Sequence, residues 1–410
     1  MKYLYALLFL FLILFPSRSF AGGYQVSLHS HKNIGMGLIG TSLNSDASSA
    51  FYNPGALATL EDDFSFAAGI SGIRSVTKFQ KEYPSLYQAV TDNPLGTPFY
   101  FYASAKIFKD VSFGLAVNTP FGNSLKWEDG WAGRFIIQEV NLQTLTFQPT
   151  ISYNISEKIS VGAGLIIASG SFDMKRFLPV EDESGEGSVT ISGSTINYGF
   201  NAGVFIVPLS GLNVGLSYRS AMQMDIDDAE ALFSIPASVE QNFPSPNTVR
   251  TSLPLPANLD FGVSYRFSEK VMAGISLNYV FWSAYNSLDF DFDLNTSVLT
   301  DSQNPREYSN TLIGRLGGEY NLFPDLYVRL GAYFDPSPVN TDYFSPETPG
   351  LSNIGLSTGL SFLPVSELSI DLSLLYVMGI ERTVQYEPEN FNGAYKSRAY
   401  IPGIGISYQF

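Results

Sequence analysis

Alternation of apolar residues with small or polar residues is the feature that most constrains this chain. In the C-terminal stretch GIGISYQF (403–410), the isoleucines, the tyrosine and the final phenylalanine fall on one face, and glycine, serine and glutamine fall on the other. The same period of two occurs in LDFGVSYRF (259–267) and LYVRLGAYFD (326–335). Because successive side chains of an extended strand point to opposite faces, this period predicts β-structure with one apolar face.

The period predicts about fourteen strands, separated by connections of two kinds. The strands are expected near 63–77, 97–108, 111–118, 137–155, 158–175, 189–207, 211–226, 247–267, 270–290, 308–322, 325–335, 353–364, 367–378 and 396–410. Short connections such as FKD, ISEK, FSEK and LFPD alternate throughout with long polar stretches near 78–96, 119–136, 176–188, 227–246, 291–307, 336–352 and 379–395.

Alternating short and long connections are typical of a transmembrane antiparallel up-and-down β-barrel with its long loops outside the cell. In lipid, a closed barrel is the only strand arrangement that pairs every backbone amide. The sequence therefore predicts an all-β barrel of about fourteen strands. Several strands exceed the span of about ten residues, so the wall should extend beyond the outer face of the membrane. A secreted sandwich or propeller remains the soluble alternative, but it need not alternate loop lengths.

The first residues predict export from the cytoplasm of a bacterial cell. Lys2 precedes an apolar run over residues 4–15, and the small-residue exit Ser19-Phe20-Ala21 predicts a signal peptide over 1–21, cleaved after Ala21. No later stretch offers the roughly 18 uncharged residues that a transmembrane helix needs. The chain has no cysteine, which excludes disulfides and a lipidated cysteine anchor.

The net charge and the aromatic content indicate which partners and which location the chain has. The formal net charge of −15 argues against nucleic acid as a partner. Aromatic residues make up 14% of a chain that is only 15% charged, with 24 Tyr and 32 Phe. Such amphipathic rings suit membrane interfaces, so the predicted location is the bacterial outer membrane.

A tight bend is predicted in SDASSAFYNPGAL (45–57), ahead of the first strand. Asn53 can bond to its own backbone, Pro54 fixes φ near −65°, and Gly55 tolerates a positive φ. An ordinary turn and a hinge that holds and releases a movable segment are both open on these residues alone.

The whole mature chain resembles the FadL family of outer-membrane transporters for long-chain fatty acids and other hydrophobic compounds. The resemblance rests on NIGMGLIGTSLNSDASSAFYNPGALATL, NTPFGNSLKWED, YRSAMQMDI, LPLPANLDFGVSY, YVFWSAY and FDPSPV, in that order. It implies an N-terminal hatch over 22–62, folded inside a barrel over 63–410. It also implies passive uptake of a long-chain fatty acid or neutral hydrophobic ligand by a monomer without cofactors. The implied partners are membrane lipid, lipopolysaccharide and the barrel assembly machinery, and no nucleic acid.

The resemblance assigns roles to individual residues. The implied hatch-gating residues are Asn53, Pro54 and Gly55. The family more often has alanine at the third of these positions, so glycine predicts a looser bend here. The implied ligand-binding residues are Tyr24, Phe172, Arg176 and Phe177, the implied lateral opening lies at Pro120, Phe121 and Gly122, and the implied assembly signal is Phe410. The position of the family's second basic residue falls near Ser309, so that residue is absent here. Its absence weakens the expectation of a fatty acid and leaves neutral hydrophobic ligands open.

Other functions receive weaker support from the sequence. His29 and His31, the only histidines, lie in the predicted hatch far from strand serines, so neither a hydrolase nor a metal site is expected. Arg315 and Glu319, on the predicted luminal face, are expected to form structural ion pairs between wall and hatch. A hydrophilic porin and an adhesin or structural barrel remain the alternative functions.

Deleting Phe410 should lower the amount of heat-modifiable barrel in the outer membrane. The reason is that a terminal aromatic closes the last alternating strand, as in the assembly signal of outer-membrane barrels. Electrophoretic mobility of unheated membrane samples measures the folded fraction. Unchanged levels of folded barrel would contradict the role of Phe410.

Overall fold

The wall is a closed antiparallel β-barrel of fourteen strands. The structure is a computed structural model that describes residues 23–182 and 185–410. Closure is visible where the first segment, β1, pairs with β4 on one side and with the last segment, β20, on the other. The predicted barrel class is thus confirmed, while the predicted signal peptide, 1–21, lies outside the described residues.

Twenty strand segments are present in the described ranges, and six barrel strands consist of two segments each. The segments are β1 (Phe64–Ser71), β2 (Arg74–Lys81), β3 (Gln88–Val90), β4 (Phe99–Phe108), β5 (Val111–Asn118), β6 (Gly122–Lys126), β7 (Glu139–Ser156), β8 (Ile159–Asp182), β9 (Gly185–Leu209), β10 (Leu212–Arg219), β11 (Met222–Ser234), β12 (Asn247–Leu255), β13 (Asn258–Arg266), β14 (Val271–Val280), β15 (Asp291–Phe292), β16 (Thr311–Phe323), β17 (Leu326–Asp335), β18 (Asn353–Val365), β19 (Leu368–Tyr386) and β20 (Phe391–Gln409). The two-part strands are β1–β2, β3–β4, β5–β6, β10–β11, β12–β13 and β14–β15. Short 3₁₀ turns occur at Glu240–Asn242, Trp282–Ala284 and Glu387–Glu389.

The apolar face of each strand points away from the lumen. Ile404 and Ile406 on β20 are about half exposed, and Phe64 and Phe410 stack with ring centroids 5.2 Å apart where the first and last strands meet. An outward apolar face is stable because the surrounding solvent is lipid.

Two predicted loops are wrong, because the chain remains extended there. Residues 176–182 and 185–188 instead extend the β8–β9 hairpin, and residues 379–395 form the end of the β19–β20 hairpin. These parts of the hairpins stand above the lipid, so their outward faces need not be apolar, and the period-two signal that marks a spanning strand fades.

The N-terminal segment, residues 23–62, folds inside the barrel and is here named the hatch. It contains α1 (His31–Gly35), α2 (Ser49–Tyr52) and a 3₁₀ helix (Pro54–Thr59). Within the described residues, no helix has the length and apolar character needed to cross a bilayer. The hatch lies close against the wall: a Cβ on Gly331 would lie 1.9 Å from the Gly37 amide nitrogen. Glycines on the luminal face thus make room for the hatch backbone.

Luminal arginines bind the hatch mainly through its carbonyl groups. Arg219 donates to the Phe51 carbonyl at 3.0 Å, and Arg315 donates to the Leu38 carbonyl at 3.3 Å. Arg329 instead pairs with Glu319 at 2.7 Å within the wall. The expected ion pair between wall and hatch is therefore wrong for Glu319, because its partner lies on the neighbouring strand.

Asn53 ties the hatch to the wall. Its side-chain amide donates to the Thr41 carbonyl at 2.9 Å and to the Val204 carbonyl of β9 at 3.0 Å, and its side-chain oxygen accepts from the Gly55 amide at 3.0 Å. The Gly55 carbonyl in turn accepts from the Ser160 hydroxyl of β8 at 2.7 Å. The bend at 53–55 is thus bonded on both sides to the barrel.

The expected looseness at Gly55 is wrong. A Cβ at this position would lie 2.9 Å from the Gly203 carbonyl oxygen and 2.9 Å from the Phe205 amide nitrogen. The φ of Gly55 is outside the left-handed region, so the glycine is required by close approach to β9 and not by backbone flexibility.

Asn53→Ala should loosen the hatch while leaving the barrel folded. The substitution leaves buried partners in both hatch and wall without a hydrogen bond, at about 1–3 kcal/mol per unsatisfied group. We expect higher ion conductance across planar bilayers, altered ligand uptake and normal heat-modifiable mobility.

Asn44→Ala is the matched control, because among the described residues the Asn44 side chain donates to Thr59, within the hatch, and not to the wall. If Asn53→Ala and Asn44→Ala have equal conductance and uptake, the bend at 53–55 is an ordinary turn with no role in gating.

Candidate functional site

The third barrel strand is interrupted at residues 119–121. β5 pairs with both β4 and β7, whereas β6, after the interruption, pairs with β7 but not with β4. Pro120 has no N–H to donate at this point. Regular strand pairing is absent at Pro120 and Phe121, whereas Gly122 already pairs with Gln143 of β7 as the first residue of β6. The strand therefore resumes at Gly122 instead of giving way to a loop over 119–136.

The second strand is interrupted at the same side, between β3 and β4, where Pro94 and Pro98 lie. The two interruptions face each other and leave a gap in the wall with a cavity of about 580 Å³. Its lining runs from Val26 of the hatch and buried Phe121 to Phe99 and Leu145, which are 40% and 44% exposed on the outer face. The gap therefore connects the hatch with the lipid-facing surface.

The N-terminal end of the hatch supplies hydrogen bonds that the interrupted strand lacks. The Val26 amide donates to the Pro120 carbonyl at 2.9 Å, and the Gly122 amide donates to the Tyr24 carbonyl at 2.9 Å. Gln25 and Phe121 form an isolated β-bridge between them. The hatch thus acts as a local strand partner behind the gap.

A buried apolar pocket lies beside this contact. The Tyr24 ring packs edge-on against Trp282 and Tyr285, with centroids 5.1 and 5.8 Å away, and its hydroxyl donates to the Pro254 carbonyl. The cavity is only about 20 Å³, and its lining comprises Tyr24, Asn123, Ile137, Val140, Leu142, Phe172, Met174, Leu253, Tyr285, Leu288, Glu347 and Thr348. Asn123 and Leu142 line both this pocket and the gap.

The structure brings together only part of the predicted ligand-binding set. Phe172 faces the pocket with Tyr24, and Arg176 is on the same inward face of β8. Phe177 is on the opposite face, with the Lys175 ammonium 5.7 Å from its ring centroid. Phe172 and Phe177 therefore do not cover the same ligand, because an odd spacing along a continuous strand turns their side chains apart.

An extracellular ion pair closes the top of the pocket. Arg306 donates to Glu347 at 2.5 and 3.0 Å, and both residues are buried. Burial opposes the charge on Arg306, but the Glu347 carboxylate outweighs it and holds the pKa of Arg306 well above its usual value. Glu347 belongs to the segment 336–352, which the Asn123 amide also holds at 2.9 Å through the Glu347 carbonyl. The pair thus fixes this loop in the mouth of the barrel.

Arg176 lies near the same acidic loops. Burial lowers the pKa of the Arg176 guanidinium, and the nearby Glu389 carboxylate, Tyr386 hydroxyl and Glu347 carboxylate partly offset this effect. A cation and two carboxylates therefore share the outer end of the pocket.

A model of the outer membrane protein transport protein family (OMPP1/FadL/TodX) matches residues 12–410. The chain belongs to this family. Family members are outer-membrane channels for hydrophobic compounds and not enzymes. The family assignment also supports the outer-membrane location.

Individual relatives agree over nearly the whole chain. Outer membrane protein P1 of Haemophilus influenzae is 23% identical, covering 95% of both chains, and the long-chain fatty acid transport protein of Salmonella typhi is 22% identical, covering 96% of this chain and 95% of the relative. A Pseudomonas aeruginosa FadL homologue superposes with a TM-score of 0.84 at 18% identity, covering 95% of this chain and all of that one. The Pseudomonas putida toluene transporter TodX superposes with a TM-score of 0.74 at 15% identity, covering 96% and 100%.

The histidines of this OMPP1/FadL/TodX chain have structural surroundings. The His29 ring lies 3.9 Å from the Phe51 ring centroid, and His31 Nδ1 lies 2.8 Å from the Ser373 hydroxyl. Among the residues that the structure describes, no three His, Asp or Glu side chains are grouped to hold a metal ion.

Two functional contacts of this family member are missed by sequence reasoning. The Arg306–Glu347 pair joins two loops 41 residues apart, and the pairing of residues 24–26 with 120–122 spans nearly a hundred residues. Neither has a periodic signal. Arg306 is the one basic residue of the stretch 291–307, and this is the hint that the sequence offers.

Proposed function

We propose that this protein passively takes up hydrophobic molecules and releases them sideways through the wall gap at the third strand. The observation that carries the proposal is the 580 Å³ gap, which shares Asn123 and Leu142 with the buried apolar pocket. A ligand in the pocket is thus separated from an opening toward lipid by the side chains of Asn123 and Leu142.

The hatch is the proposed gate. The pocket holds only about 20 Å³, so a ligand must displace a wall of the pocket in order to bind. Tyr24 is the lining residue whose backbone carbonyl also accepts from Gly122 at the interrupted strand. Displacing Tyr24 would break this bond and couple occupancy of the pocket to the gap, as a two-state element linking two sites.

Release into lipid supplies a favourable direction without an energy source. An alkyl chain gains about 0.8 kcal/mol per CH₂ when it leaves water for an apolar phase. A sideways route also avoids the polar luminal face around the hatch. The proposed transport is therefore passive.

The pocket's charges favour neutral ligands over carboxylates. Glu347 lines the pocket, its carboxylate is already bound by Arg306, and Arg176 is close to Glu347 and Glu389. A ligand carboxylate would bring a third negative group into this buried region, whereas an alcohol or hydrocarbon would not. The toluene transporter among the structural relatives, a carrier of a neutral molecule by its name, is in line with this preference.

Gly122→Trp should block uptake while ligand binding to the purified barrel stays nearly intact. A Cβ at Gly122 already lies 3.3 Å from the Leu142 carbonyl and 3.7 Å from Val26, so an indole there fills the gap. Accumulation of a labelled hydrophobic ligand in cells is compared with binding by fluorescence quenching. Ser124→Trp fills the same gap from another position and guards against misfolding of one variant.

Phe147→Trp is the matched control, because Phe147 is 46% exposed on the outer face of β7 and does not line the gap. If uptake persists with the gap filled, or binding and uptake fall together, the sideways route is wrong for this protein.

Glu347→Gln should raise the affinity for a fatty acid while changing that for the alcohol of equal chain length little. The substitution leaves the buried Arg306 cation without its carboxylate, and a ligand carboxylate can then replace it. The wild type is expected to bind the alcohol more tightly at a pH where the acid is ionised. Tighter binding of the acid by the wild type would overturn the neutral preference.

Arg176→Ala is the companion variant. If the affinity for the acid falls and that for the alcohol does not, Arg176 binds the carboxylate. Equal losses of affinity for both ligands show that it does not. Glu347→Asp keeps the negative charge and should leave the order of affinities unchanged.

A further inference from the structure

Four cations cluster on the outer face of the wall where the barrel closes. Arg74 and Lys78 on β2 and Lys396 and Arg398 on β20 are all exposed and are here named the basic patch. Lys78 lies directly opposite Lys396, and Val76 lies opposite Arg398. Their strand neighbours Phe79 and Tyr395 are buried in the lumen, so the basic patch faces away from the channel.

The basic patch is poorly compensated by the protein itself. Lys396 lies 3.6 Å from Glu381, an exposed pair, and the described residues include no carboxylate in ion-pair contact with Arg74, Lys78 or Arg398. Like charges directly opposite each other across antiparallel strands are destabilising. The cluster also stands out in a chain with a net charge of −15 and only 23 basic residues. An external anion would relieve this repulsion.

The height of the basic patch on the wall indicates where that anion lies. The outward residues of β20 from Tyr400 to Phe410 are tyrosine, proline, isoleucine, isoleucine, tyrosine and phenylalanine. At about 3.4 Å per residue and a tilt near 40°, this stripe spans about 25 Å, which is the height of the apolar band of an outer-membrane barrel.

The upper end of the stripe has the rings of an interface. Tyr376 and Tyr400 lie side by side with centroids 4.8 Å apart, and Arg74 is directly opposite Tyr400. Aromatic residues of this kind mark the boundary between the hydrocarbon and the headgroups. Arg398 and Lys396 are the next two outward positions of β20, so the basic patch lies at the level of the outer-leaflet headgroups.

We propose that the basic patch binds the phosphate groups of a phosphorylated lipid in the outer leaflet, the lipopolysaccharide anchor. The two guanidinium groups offer forked donors that suit phosphate oxygens, and the two lysines add point charges beside them. Val76 and Tyr400 lie level with the basic patch, and Ile404 and Ile406 continue below it as an apolar surface for the acyl chains. The site is separate from the ligand pocket, because it is on the opposite face of the wall.

The test uses the full barrel in detergent, with bis-phosphorylated lipid A as the probe. The lipid should raise the unfolding temperature of the wild type, and Arg74→Gln/Lys78→Gln/Arg398→Gln should lose most of that rise. The control Lys109→Gln/Lys158→Gln/Lys270→Gln removes equal charge at exposed periplasmic turns and should keep it. Two further probes are dephosphorylated lipid A at the same lipid concentration and inorganic phosphate at the same phosphorus concentration. They distinguish binding of the phosphorylated lipid from binding of its acyl chains or of free phosphate.

An equal rise in the triple variant and the control would overturn the proposal. A rise with inorganic phosphate as large as with lipid A would show a free-anion site and would also overturn it. Neither result bears on hydrophobic uptake, which is measured separately.

A crosslinking experiment avoids any dependence on the folding of the triple variant. A photoreactive phenylalanine analogue in place of Val76 should capture lipopolysaccharide in intact cells, as a band that an antibody to the glycolipid detects. The same analogue in place of Leu232, which is 46% exposed and lies near Glu230, should capture much less. Equal capture at both positions would contradict a specific site.

Discussion

The structure depends on one constraint, which is that every backbone hydrogen-bonding group at membrane depth must find a partner inside the protein. The barrel meets it by joining β1 to β20, so that no edge is left. The third strand departs from it at Pro120, where β6 loses β4 as a neighbour. Residues 24–26 of the hatch supply partners at that point, so the hatch satisfies backbone groups that the opening in the wall leaves without a strand neighbour.

The luminal face determines how the hatch can be held. Glycines admit the hatch backbone at close range, and wall hydroxyls such as Ser152 and Ser160 donate to the Gly55 carbonyl. Charged groups contribute at few points, chiefly Arg219 and Arg315 through backbone carbonyls. A hatch held by many single hydrogen bonds can be released in parts, whereas one held by a few buried ion pairs would have to break each pair at high cost.

The fold was largely predictable, because the bilayer makes one face of each spanning strand apolar and the period of two survives in the sequence. The interruption at Pro120 was predictable for a similar reason, since proline removes a ladder hydrogen bond wherever it occurs. The strand segments at 176–182, 185–188, 379–386 and 391–395 were not predictable, because strands outside lipid need not show that pattern. The inward position of Phe172 and the outward position of Phe177 follow from strand parity only once the strand is known to continue past 175. The Arg306–Glu347 pair and the bonding of Tyr24 to Gly122 depend on how distant segments meet, and nothing local specifies that.

The height of the wall gap determines which layer of the membrane a ligand must cross inside the barrel. On β7, the outward apolar residues run from Ile155 up to Leu145, and Leu145 lines the gap. Ten residues of tilted strand account for about 25 Å, so the gap opens at the outer rim of the hydrocarbon. The long β8–β9 hairpin continues far above it, into the region of headgroups and sugars. A greasy molecule is soluble in the hydrocarbon but not in the hydrated saccharide layer that covers it. The barrel then serves as a conduit past that layer alone, and the lipid itself completes the crossing.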